Sequence, residues 1–168
     1  MSAPFIGMNS NQRDYYLEAI TATLEKGMAA KEVVCSITTG FRKVPSIRTA
    51  PGLNPYHASV ADIGYDFDSV HGTINRLRKS EHIPLAKEML VFDLDTLRIS
   101  AKQLSPNFEL AVTGANPDVF YLIQLSRNLN RQMAQLINEA IRLGQALLGS
   151  EWESILKRIE NIQAIPRL

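Results

Sequence analysis

The chain has 168 residues, 45% hydrophobic and 21% charged, with a net charge of +1 at pH 7 and one cysteine, Cys35. Such a chain can bury one sizeable core or combine a small domain with a long extension, and its composition is that of a folded soluble protein. A lone cysteine excludes an intrachain disulfide, and no apolar run approaches the roughly 20 residues of a membrane span. The first residues, MSAPFIGMNSNQRD, lack the basic start and apolar centre of a secretory signal. The expected setting is cytoplasmic or nucleoid-associated, in a prokaryote, phage or plasmid. A near-neutral total argues neither for nor against nucleic acid, because a local basic stripe is what counts.

After an unstructured lead over residues 1–9, Ser10 or Asn11 is placed to cap a first helix carrying Tyr16, Leu17, Ile20 and Leu24, which Gly27 is expected to end. A short second helix, Ala29 to Thr38, follows with Ala30, Val33, Val34 and Ile37. Residues 41–58, FRKVPSIRTAPGLNPYHA, contain Arg42, Lys43 and Arg48 and no carboxylate, and Pro45, Pro51 and Pro55 forbid a continuous helix. The expectation is a basic, partly extended loop, either a phosphate-contacting arm or an ordinary solvated connection.

From His57 to His82 the apolar residues Val60 and Ile63 are separated by Gly64 from a second set, Tyr65, Val70, Ile74 and Leu77, and the spacing of the last three stacks them on one helical face. Asp66 or Asp68 can cap that second helix. A helix, a glycine turn and an amphipathic helix outline a helix-turn-helix unit, whose second helix lies in the major groove of DNA. The stretch ADIGYDFDSVHGTINRLRK resembles the second and third helices of helix-turn-helix transcription regulators, over about 25 residues of common types. The resemblance implies that Arg76, Arg78 and Lys79 contact phosphates or bases, and that Ser69, His71, Thr73 and Asn75 are offered to the groove. Arg42, Lys43 and Arg48 would add backbone contacts. The phrase LEKGMAAKEVV is a rival register of the same motif, and a structural helical hairpin with a solvated face is the alternative to both.

Pro84 is expected to begin another helix, PLAKEMLVF. The following Asp93-Leu94-Asp95-Thr96 resembles the first motif of haloacid-dehalogenase-type phosphatases, in which a strand delivers a nucleophilic aspartate and a second acts as acid/base beside Mg²⁺. The glycine of that motif is missing and no paired acidic motif follows, so the competing expectation is that Asp93 caps a helix bearing Leu94, Leu97, Ala101 and Leu104. Ser105 to Asn116 reads as irregular or briefly extended.

Asn116-Pro117 then opens the longest element, with proline at the first helical position. Leu122, Leu129, Leu136 and Leu143 recur every seven residues, and Met133 and Leu147 help complete the seam. This stripe is either a core helix of a bundle or a dimer helix, with Leu122, Leu129, Met133, Leu136, Leu143 and Leu147 as the dimerisation set. Gly149 ends it. Ser150 and Glu153 match a capping box for a last helix with Trp152, Ile155, Leu156, Ile159 and Ile162 as its buried stripe, stopped by Pro166. The segment from Gln135 to Ile159 loosely resembles the D subunit of the flagellar master activator, which implies a dimeric regulator.

Cys35, His57, His71 and His82 do not fall at zinc-ligand spacings, and no phosphate-cradling glycine loop or nucleophile motif appears. No enzyme activity, metal or cofactor is expected. The expected architecture is all-α, with a helix-turn-helix-like half at 1–83 and a helical dimerisation half at 84–168. The expected function is a homodimeric DNA-binding transcription regulator acting on duplex DNA, with a non-enzymatic helical protein-interaction or assembly subunit as the main rival and a phosphatase-like enzyme as a remote one.

Overall fold

The computed structural model describes residues 9–164, and every regular element among them is helical. The N-terminal lead before residue 9 and the Pro166 stop lie outside the described residues, as does the side chain of Ile162. Helix α1 spans Ser10–Phe41, α2 is a single turn at Pro45–Arg48, α3 spans Leu53–Arg78 and α4 spans Ile83–Val112. A short 3₁₀ turn, Pro117–Val119, leads into α5 at Phe120–Leu148, and α6 occupies Ser150–Ala164. No helix among the described residues is long and apolar enough to cross a membrane.

The four long helices form a ring in which α1 packs on α3, α3 on α4, α4 on α5 and α5 back on α1, while α6 folds against α4 and α5. Neighbours run antiparallel. The α3–α4 bonds Ser59–Asn107, Asp66–Ser100 and Thr73–Asp93 climb one helix as they descend the other. This is the up-and-down bundle that short connections favour. One apolar core runs from Leu17 to Ile155, drawing on residues before and after the α3–α4 turn at residues 79–82.

Several boundaries differ from the sequence expectation, each for a local reason. Asn9, rather than Ser10 or Asn11, caps α1: its side chain accepts from the Gln12 amide at 2.8 Å while the Gln12 side chain accepts from the Asn9 amide at 3.1 Å. Gly27 does not end the first helix. It is buried at the middle of α1 with the Phe67 ring of α3 lying on it, so close that a Cβ would sit 2.7 Å from Phe67 Cζ. Gly64 likewise makes no turn: α3 runs through it, and the Lys31 side chain of α1 crosses the space its Cβ would fill. Both glycines weaken their helices by up to about 1 kcal/mol each relative to alanine, and close helix–helix packing offsets that cost.

The basic segment at 41–58 is not one extended arm, since Pro45 starts α2 and Pro55 lies in the first turn of α3. Asp93 caps nothing, and Ser105 to Val112 is helical rather than irregular. Pro106 sits inside α4, where the helix forgoes one amide donor at exposed Lys102. The α3–α4 turn places Ser80 and His82 at φ 55° and 48°, a left-handed conformation in two residues that carry a Cβ. Gly149, at φ 56° and ψ −128°, adopts a geometry open to glycine and ends α5 as expected.

Candidate interaction face

Helix α4 carries two apolar faces. One turns inward through Ala86, Leu90, Leu94, Leu97, Leu104 and Phe108, all buried against α3, α5 and α6. The other faces outward: Leu85, Phe92 and Ile99 are 55%, 47% and 45% exposed, and Leu110 extends the line at 49%. Between them stand half-buried Met89 and Thr96 and exposed Gln103. Steps of four and three residues from Leu85 to Gln103 keep this row on one side of the helix over about 27 Å, at 1.5 Å per residue. On one flank Glu88 pairs with Arg158 of α6 at 2.6 Å, and farther along that flank Lys102 is exposed.

Between α3 and α4 lies an acidic pair, buried Asp93 and half-buried Asp66. Thr73 donates to Asp93 at 2.9 Å and Ser100 donates to Asp66 at 2.8 Å. Burial pushes the Asp93 carboxyl above its ordinary value, with the charge of Asp66 adding to the rise, while the Thr73 hydrogen bond and Arg76 oppose it. Asp66 is raised for the same first reason, against the Ser100 bond and with Asp62 adding to it. A carboxyl raised in the folded state contributes most below its unfolded value, and that contribution is lost as pH rises through the raised one. Asp93→Asn keeps an acceptor for Thr73 and removes the charge. It is expected to gain stability over wild type as pH rises through the mildly acidic range, read from urea midpoints across pH.

The structure separates the residues expected to face DNA. Thr73 is buried against Asp93 and reads nothing outside, while His71 is half-buried. Ser69, Asn75, Arg76, Arg78 and Lys79 are exposed; Arg76 reaches the Met89 sulfur at 3.3 Å and Arg78 donates to Thr21 at 3.1 Å. Lys43 and Arg48 are exposed at the other end of α3, and there Arg42 donates to His57 Nε2 at 2.9 Å. Burial, then the Arg42 charge, holds His57 below the usual histidine value, which suits an accepting nitrogen. His57 and Arg76 lie on one helix, about 28 Å apart along its axis, so the two basic groups sit at opposite ends of the bundle.

The α5 seam is largely spent inside the chain. Met133, Leu143 and Leu147 are buried in the common core, and Leu122, Leu129 and Leu136 are half-buried. Asp93 and Asp95, expected either to cap a helix or to serve a phosphatase strand, lie within α4 and diverge: Asp93 meets Thr73 of α3, whereas Asp95 pairs with Arg98 of its own helix. Two open clefts complete the surface. One, of about 410 Å³, lies between α1 and α3 around Met28, Lys31 and Tyr65. The other, of about 290 Å³, lies between α4 and α5, where Arg127 donates to both Glu109 oxygens at 2.8 and 2.7 Å and holds that carboxyl below its usual range.

The outer ridge of α4 escapes a reading that divides residues 84–116 into two helices and an irregular stretch. The signal for it is the seven-residue spacing of Leu85, Phe92 and Ile99, which becomes visible once 83–112 is taken as one helix. No protein-family model, curated protein or solved structure matches this chain.

Proposed function

We propose that this chain is a non-enzymatic protein-interaction or assembly subunit whose docking face is the outer ridge of α4. The observation that carries the reading is the row Leu85, Phe92 and Ile99, three large apolar side chains about half exposed along one line. Contiguous exposed apolar surface of this kind marks interaction sites, and fully burying each such side chain is worth about 1.5–3 kcal/mol. The rival reading, a regulator of duplex DNA, draws on the exposed Asn75, Arg76, Arg78 and Lys79. It is weakened by the absence of a turn at Gly64, by the burial of Thr73, and by the distance from these cations to Arg42, Lys43 and Arg48.

Two measurements separate the readings. A photo-reactive phenylalanine analogue at position 92 is expected to capture a protein chain in cells, while the same analogue at exposed Glu25 on α1 captures none. Titrations of labelled duplex DNA at low and high salt are expected to give one weak, salt-sensitive association for wild type and for Arg76→Ala/Lys79→Ala alike. Tight duplex binding that the double variant loses, or no capture from position 92, overturns the assembly reading.

A further inference from the structure

Resting on that reading, we infer that the occupant of the α4 ridge is a second copy of this chain, with the two α4 helices packed antiparallel about a two-fold axis between Phe92 and Thr96. The ridge is complementary to its own reverse. Turned end for end, it sets Phe92 beside Thr96 of the second copy, Ile99 beside Met89 and Leu85 beside Gln103, so that bulky side chains interleave with slimmer ones.

Charge selects the same direction. Glu88, Asp95 and Lys102 lie on one flank of the ridge at seven-residue spacing; Asp95 is buried and held by Arg98 of its own helix, and Glu88 also meets Arg158 of α6 at 2.6 Å. In an antiparallel pair that flank meets its counterpart, and each Glu88 comes opposite Lys102 of the other copy, twice by symmetry. A parallel pair instead turns Glu88 toward the Asp93 side of its neighbour and leaves both lysines unmatched. Lys102 has no ion-pair partner among the described residues, so it is available for this contact. The α5 seam offers less surface in its place, because Met133, Leu143 and Leu147 are buried within their own chain and Leu122, Leu129 and Leu136 are already half-buried there.

Light scattering behind size exclusion, together with sedimentation over a range of concentrations, tests the inference on the full chain. Wild type is expected at twice the chain mass, and Phe92→Glu at the chain mass with an unchanged helical circular dichroism spectrum. Lys102→Glu, which disturbs no ion pair of the monomer, is expected to weaken the dimer about tenfold, as is Glu88→Lys made together with Arg158→Glu, which keeps the pair between α4 and α6 within the chain. Adding Lys102→Glu to Glu88→Lys/Arg158→Glu restores most of that loss if the helices run antiparallel. A wild type that stays monomeric, or a combined exchange as weak as the sum of its parts, overturns the inference. If the chain is monomeric while position 92 captures a different protein, the self-pairing fails and the assembly reading stands; if it is monomeric and position 92 captures nothing, both fall.

Discussion

Replacing Phe67 by alanine is expected to cost about 3–5 kcal/mol of unfolding free energy, a large share of the 5–15 kcal/mol typical of a domain. The ring is fully buried and rests on Gly27, so its removal takes away apolar contacts and opens a void between α1 and α3. A second substitution makes the test specific. In wild type, Gly27→Ala is expected to destabilise, because its Cβ would meet a ring with no free space to retreat into. In the Phe67→Ala background the same change is expected to stabilise by up to about 1 kcal/mol, since only the gain in helix propensity remains. Denaturant midpoints of the four proteins check this reversal of sign. A stabilising Gly27→Ala in wild type would rule out the described α1–α3 contact.

Tyr56→Phe is expected to cost about 1–3 kcal/mol although it removes a single oxygen. Tyr56 is fully buried at the first turns of α3 and reaches across the core to α5, its hydroxyl 3.2 Å from Ser126 Oγ and donating to Asn130 Oδ1 at 3.1 Å. The two helices are not neighbours in the ring, so this contact ties opposite sides of the bundle together. Without the hydroxyl, Ser126 and Asn130 remain buried with fewer partners, and the Asn130 amide nitrogen already has none. The matched change Tyr56→Phe/Ser126→Ala/Asn130→Leu removes both sides of the contact and is expected to recover most of the loss. Thermal and urea unfolding of the three proteins, including wild type, measures the effect. A triple variant less stable than Tyr56→Phe would locate the stability of this region in packing rather than in the hydroxyl. Tyr56 also lies 5.2 Å from the Phe108 ring, centroid to centroid, and that contact survives the change to phenylalanine.

Ser126 and Asn130 are polar positions on the buried side of α5, and nothing in the sequence around them names their partner. Tyr56 lies more than seventy residues earlier, and nothing local to either segment brings them together. The candidate docking face shows the same division. Leu85, Phe92 and Ile99 are as apolar as Leu90, Leu94 and Leu97 beside them, and periodicity alone does not say which of two faces on one helix meets the core.

What the amino-acid order determined by itself is therefore the helical nature of the chain, the start near Pro84, the end at Gly149 and the inward stripe of α6 at Trp152 and Ile155, because caps, prolines and spacing act within a few residues. Only the tertiary structure decided whether a glycine is a turn or a contact. Gly27 and Gly64 carry the turn signal in isolation, yet each sits inside a long helix, because a side chain from the neighbouring helix fills the space beside it. The same holds for α5, whose seam serves either a partner or the chain itself until α1 and α4 close over it, and that closure leaves the outer ridge of α4 facing solvent.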